Sequence, residues 1–252
     1  MEADNPALAR LPSLPPPVNL LAFDTSTEAM SVALVRAGAA PLSVQGEGGA
    51  KSSSTLIPAV LDLLERGGLD VASLDAIAFG CGPGSFTGLR TACSVAQGLA
   101  LGAGVPVLPV ETLMAVAEAA RERLGAADVL AVLDARMDEV YSARYRHDGM
   151  RWQREGTIRL GAPETLEAAG VACLAGNALA VYGDRLPAVA TRVEVVPTAL
   201  AILALAPQLL AQGLGRPAEQ ALPLYVRDKV AQTTAEREAA RAAAADRARM
   251  QP

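Results

Sequence analysis

The chain has 252 residues, 51% of them apolar and only 3% aromatic, with a formal charge of −5. That length and apolar content allow a large core and two closely joined domains. The scarcity of aromatics argues against a stacking platform for single-stranded nucleic acid, and the acidic balance argues against a chain that grips tRNA or DNA alone, because that affinity comes from neutralising phosphates.

The first 18 residues, MEADNPALARLPSLPPPV, lack the basic start and apolar block of a secretion signal and read as a flexible proline-rich extension. Asn19–Thr27, Met30–Gly38 and the following APLSVQGEGG read as three consecutive antiparallel strands. SSSTLIPAVLDLLERGG has capping serines, a stripe of Leu56, Ile57, Val60, Leu61 and Leu64, and a Gly67-Gly68 stop, so it is expected to be an amphipathic helix with Pro58 near its first turn.

The strand ending at AIAFG runs into the glycine-rich GPGSFTGLR and then a helix, TGLRTACSVAQGLALGAG, with few bulky side chains. Two readings of the loop stay open here: amides at a helix start that hold an anion, or a tight strand-to-helix turn. It is not a Walker loop, because Arg90 and no lysine follows the last glycine, and its G-x-G-x-x-x-G spacing misses the dinucleotide fingerprint. Ala92, Ala96, Gly98, Ala100 and Gly102 leave room for close packing of the helix on its own sheet, on a second helix, or on both.

After VPVLPV and the helix ETLMAVAEAARERLG, the segment VLAVLDARMDEVYSARYR repeats the pattern of LLAFDTSTEAMSVALVR, with Asp24–Arg36 and Asp134–Arg146 of equal length. Each is an apolar strand ending in aspartate, a polar turn and an alternating strand. The repeat suggests a duplicated α/β unit whose halves would place Asp24 and Asp134 on opposite walls of a cleft. The second unit continues through the strand MRWQREGTIRL, a helix near APETLEAAG, the strands VACLAGN and TRVEVVP, the helix TALAILALAPQLLAQG and an extended return, ALPLYVRDKVAQ. The tail AEREAARAAAADRARM has helix formers without an apolar stripe and reads as a solvated helix or frayed end.

Catalytic groups are sparse. The single histidine, His147, sits at a hairpin tip and is expected in solvent, which excludes a two-histidine metal site, and Ser85 does not match the G-x-S-x-G elbow. Cys81, Cys93 and Cys173 are odd in number, lack metal-ligand spacing and read as buried thiols in a reducing cytosol. Asp24 and Asp134 are candidates for nucleotide-bound magnesium or, more plainly, turn-capping aspartates. No stretch is apolar for long enough to cross a membrane.

The segments FDTSTEAMSVAL, GCGPGSFTGLRTACSVAQGLALG, LDARMDEVY and PLYVRD resemble the TsaB (YeaZ) family, whose members support threonylcarbamoyladenosine formation at position 37 of tRNA. The matches run from Asn19 to Val230 in family order. The resemblance implies the duplicated ribonuclease H-like/actin-like (ASKHA) fold, two lobes with mixed sheets flanked by helices. It divides the chain into the extension 1–18, a first lobe 19–110 with a return segment near 221–230, a second lobe 111–220 and a tail 231–252.

It further implies a cytoplasmic, non-catalytic subunit that needs no cofactor of its own. Its partner would be the TsaD transferase, with the TsaE ATPase joining the pair; ATP and magnesium belong to those partners, tRNA is met only through the complex, and the isolated subunit forms a homodimer. The implied interface comprises Leu56, Ile57, Val60, Leu61 and Leu64 of one helix and Leu89, Ala92, Cys93, Ala96, Gln97 and Ala100 of the other. Asp24, Thr25, Gly82, Gly84, Ser85, Thr87 and Asp134 would form a nucleotide cleft, vestigial or still in use. Relatives often have a histidine ahead of the first helix where this chain has Ser52. The alternatives are a small-molecule kinase or ATPase of the same superfamily and, from older labels on relatives, a peptidase.

Overall fold

The computed structural model describes residues 18–227. The extension up to residue 17, the end of the return segment and the whole tail lie outside the described residues.

Strand β1 (Leu20–Asp24) is five consecutive buried residues. Its side chains alternate between two cores: Leu20 and Ala22 join one cluster, and Leu21 and Phe23 the other. β2 (Ala29–Val35) and β3 (Leu42–Glu47) complete the expected antiparallel meander. Helix α1 (Ser52–Gly67) then crosses to β4 (Ala76–Gly82), which pairs parallel with β1, and α2 (Phe86–Ala103) crosses to β5 (Val107–Glu111). The sheet order is β3-β2-β1-β4-β5.

The second half repeats this. Helix α3 (Thr112–Leu124) leads into β6 (Asp128–Asp134), β7 (Val140–His147), β8 (Trp152–Gly161), β9 (Cys173–Ala175), α4 (Ala178–Tyr182), β10 (Thr191–Val193) and α5 (Ala199–Ala211). Its sheet runs β8-β7-β6-β9-β10, the same order with the same parallel and antiparallel pairs. The fold is the duplicated ribonuclease H-like/actin-like one.

The last helix of the second half serves the first half. Helix α3 packs chiefly on β6, whereas α5, which the sequence assigns to the second lobe, lies across β1, β2, β4 and β5; the two helices pack together between the sheets. The helix that closes the stretch 111–220 thus packs on the first sheet. The return also starts earlier than 221, because Val107 and Arg216 exchange backbone hydrogen bonds of 2.9 and 2.8 Å, and Ala218 and Ala221 are buried in the core beneath α1 and α2.

Three local expectations are corrected, and one short helix was not anticipated. The hairpin after β6 is one residue tighter than that after β1: Asp24 faces Ser31 across the ladder, but Asp134 faces Val140, where the gapless match requires Tyr141. The turn absorbs the missing residue by placing Arg136, Met137 and Asp138 at φ of 60, 55 and 63°. Only a 3-10 turn, Pro163–Thr165, stands where APETLEAAG suggests a helix; Leu166 and Ala168 alternate inward against the core of Leu130, Val132 and Leu174, and that burial overrides helix propensity. Pro58 is the seventh residue of α1, past its first turn. The five-residue α4 is too short to leave a period in the sequence.

Candidate functional site

The glycine loop is shaped by contact with another turn. Ser85 caps α2, its Oγ accepting from Gly88 N at 3.4 Å, and its own amide donates to Ser26 O at 2.7 Å. Thr25, wholly buried, donates from Oγ1 to Gly88 O at 2.7 Å. A Cβ on Gly88 would stand 1.8 Å from Thr25 O, and one on Gly84 2.5 Å from Ser26 O. Glycine is required because the backbones of the β1–β2 turn and the α2 start touch. The tight-turn reading thus accounts for these residues.

The paired aspartates do not face one another across a cleft. Asp24 is 1% exposed; its Oδ1 accepts from Ser26 N (2.9 Å) and Ser26 Oγ (2.7 Å), while Oδ2 is buried without a hydrogen-bond partner. Burial pushes its carboxyl up to about 6, against the lowering effect of the Ser26 bonds. Asp134 does line the interlobe cavity, but its carboxylate is occupied: Oδ1 accepts from Tyr182 OH and Arg136 N, each at 2.9 Å, and Oδ2 pairs with Arg136 Nη1 at 3.3 Å. Burial and the bond to Asp134 push the Tyr182 phenol up to about 12. Neither aspartate therefore offers an uncommitted carboxylate to a metal in the cleft. Among the described residues no three His, Cys, Asp or Glu side chains gather as a metal requires.

The interlobe cavity measures about 280 Å³ and takes Gly84, Ser85 and Asp134 from the expected cleft set, together with Ser26, Asn177 and Arg136. Asp24, Thr25, Gly82 and Thr87 are not in its wall. One side is closed by the return segment. Leu224 N donates to Cys81 O at 2.7 Å, Tyr225 stacks on Phe86 with centroids 5.5 Å apart, and Arg227 donates to Ala135 O at 3.0 Å and pairs with Glu139 at 2.6 Å. Arg136 also reaches across the mouth to Glu28.

The second surface is the outer face of α1 and α2. Leu56, Val60 and Leu64, with Leu63, point into the core, as do Leu89, Ala92, Cys93, Ala96 and Ala100. These eight residues of the expected interface lie on the core side of the helices, where they hold them to the sheet. Ile57 and Leu61 are 45% and 52% exposed, and Gln97 is half-buried. On α2 the outward stripe is Phe86, Arg90, Ser94, Gly98 and Leu101, residues spaced three or four apart. Leu101 is 73% exposed, and nothing lies within 4 Å of a Cβ on Gly98 or Gly102. Sequence reasoning marked Gly98 and Gly102 for close packing but did not pick out Phe86, Arg90, Ser94 and Leu101; the full stripe is legible as the side of α2 opposite Leu89, Ala92, Cys93 and Ala96.

The three cysteines are buried and unpaired, as expected, and burial raises each thiol, Cys93 to about 12. His147 is half-buried with its ring edge-on to Trp152, rather than free in solvent. Ser52, at the start of α1, is buried with its Oγ unpartnered. No helix among the described residues is long and apolar enough to cross a membrane.

Comparison with known proteins gives the family. A family model described as TsaD, tRNA N6-adenosine threonylcarbamoyltransferase, matches residues 47–235. The tRNA threonylcarbamoyladenosine biosynthesis protein TsaB of Escherichia coli is 37% identical over 225 residues, covering 85% of this chain and 96% of that protein. The structure of YeaZ from Pseudomonas aeruginosa is 40% identical and superposes with a TM-score of 0.78 over 83% of this chain and all of that one. Another Pseudomonas aeruginosa structure, with the same identity and TM-score, is described as similar to peptidase YEAZ. A likeness that spans nearly the whole of these relatives, carried on the same fold, places the chain in the TsaB (YeaZ) family of tRNA threonylcarbamoyladenosine biosynthesis proteins.

Proposed function

We propose that this chain is a non-catalytic subunit of the machinery that forms N6-threonylcarbamoyladenosine on tRNA. It docks through the outer face of α1 and α2 onto a TsaD-like transferase and presents the pair to a TsaE-like ATPase. The observation that carries this reading is the exposed stripe itself: Ile57 and Leu61 on α1 beside glycines on α2 with open space above them. Small residues let two helix backbones approach closely, and the aliphatic side chains beside them supply area to bury. The same surface suits a homodimer when the transferase is absent. The chain itself requires neither ATP nor magnesium, and it meets tRNA in the cytoplasm through the complex.

Chemistry supports an accessory role over the two enzymatic alternatives. A kinase needs carboxylates free to hold magnesium-nucleotide, and here Asp24 is buried and Asp134 is bound to Arg136 and Tyr182. A serine peptidase needs a base beside its nucleophile, and Ser85 Oγ instead caps a helix, in a chain whose one histidine packs on Trp152.

The test is calorimetric titration of the chain with the TsaD-like subunit of the same organism. Leu61→Glu places an unpaired charge in a dry contact and should weaken binding by about 3 kcal/mol or more, over a hundredfold. Gly98→Leu should weaken it comparably by holding the helices apart. Both sites face solvent, so each variant's melting temperature should stay near the parent's. Parental affinity in both variants would eliminate this surface.

A further inference from the structure

At its N-terminal end the α2 stripe carries a cluster unlike the rest of the surface. Phe86 and Tyr225, two of the eight aromatic residues in the chain, are both exposed and stack on each other. The Arg90 guanidinium lies over Phe86, its Cζ 3.8 Å from the ring centroid, and its Nε donates to Tyr225 OH at 3.0 Å. The stacking and that bond fix the plane of the guanidinium. One N–H of five is used, so the edge formed by the two terminal nitrogens remains open for a bidentate acceptor.

No carboxylate pairs with Arg90 among the described residues. The neighbouring cations at the cleft mouth differ: Arg136 is paired with Glu28 and Asp134, and Arg227 with Glu139. Resting on the reading above, we propose that Arg90 is the charged anchor of the α1–α2 docking surface and receives a carboxylate of the partner subunit on the open edge of its guanidinium, beside the stacked rings of Phe86 and Tyr225. Continuity favours this, since Arg90 sits one turn from Ser94 on the same exposed stripe as Gly98 and Leu101. Charge favours a carboxylate over a tRNA phosphate. A phosphate backbone is gripped by several cations together, whereas here a single unpaired one is set among aromatics on a chain of net charge −5. Arginine beside exposed aromatics is also the composition typical of interface residues on which affinity concentrates.

The experiment titrates the parent, Arg90→Gln, Arg90→Lys and Tyr225→Phe with the same TsaD-like subunit at low and high salt, with Leu61→Glu as reference. Arg90→Gln should weaken binding at least about thirtyfold and flatten its salt dependence. Arg90→Lys should recover little of the loss, because an ammonium lacks the fork that matches a carboxylate. Tyr225→Phe keeps the ring stack and the charge, and should stay within about threefold of the parent, which separates loss of the anchor from loosening of the return segment. If Leu61→Glu abolishes binding while Arg90→Gln retains the parental affinity and salt slope, the anchor is wrong and the docking surface stands. If Arg90→Gln spares subunit binding but lowers retention of tRNA by the assembled complex, the cation serves phosphate and the proposal falls. If the parent itself does not bind, both readings fall.

Discussion

Replacing Gly88 with alanine will destabilise the fold by about 3 kcal/mol, the upper range for forcing an extra methyl into a packed site. The added Cβ would meet Thr25 O at 1.8 Å, and a backbone carbonyl cannot swing aside as a flexible side chain can. The start of α2 must retreat from the β1–β2 turn, which breaks the Thr25 Oγ1 to Gly88 O bond and the Ser85 N to Ser26 O bond together. Gly98→Ala, in the same helix, is the control. Its Cβ meets nothing within 4 Å, so it should gain up to about 1 kcal/mol from helix propensity alone. Urea denaturation of both variants measures the contrast. A Gly88→Ala variant as stable as the parent would mean that the two turns do not touch as described.

Asp24→Asn should have the opposite sign. The folded chain holds this carboxyl at about 6, raised from 3.8 by burial, so ionising it is harder folded than unfolded. A raised carboxyl pKa leaves stability intact below about 3.8 and removes it as pH climbs through about 6. At about 1.4 kcal/mol per unit, the burden at neutral pH approaches 3 kcal/mol. Asparagine keeps an oxygen for Ser26 N and Oγ and never ionises, but its amide nitrogen stands unpaired where Oδ2 lies, at a cost of about 1–3 kcal/mol at any pH. The variant should therefore exceed the parent by up to about 2 kcal/mol above pH 6, and the difference should reverse toward pH 4. Because all other titrating groups are common to both proteins, the difference isolates Asp24. A stability difference of the same size at pH 4 and pH 7 would remove burial of the charge as its cause.

Residue pattern and structure part company for identifiable reasons. The β1–β2–β3 meander, the duplication and the ends of α1 and α2 were legible because apolar alternation, the repeated strand-aspartate-turn unit and terminal glycines each have a local cause. The expected interface took in core-facing residues because the apolar stripe of a surface helix marks its core side; Leu56, Val60, Leu89 and Ala96 follow that rule. The outward stripe of α2 has large apolar residues only at its ends, Phe86 and Leu101, with Arg90, Ser94 and Gly98 between them, and so gives no helical period of its own. Asp24 misled for a related reason: an aspartate ending a strand looks the same in sequence whether its carboxyl lies in a cleft or, as here, under a neighbouring turn. The crossing of α5 onto the first sheet is a long-range choice between two apolar surfaces, and nothing within the helix names which one it covers.

That crossing dictates an order of events during translation. When the ribosome has delivered the five strands of the first sheet, one face of that sheet still lacks α5, and Ala218 and Ala221 have yet to be made. The nascent first half must keep its greasy side shielded until roughly a hundred more residues emerge, at typical speeds of about 5–20 residues per second a wait of about 5–20 seconds. Severed between β5 and α3, the gene would yield two fragments that each expose what the other was meant to cover.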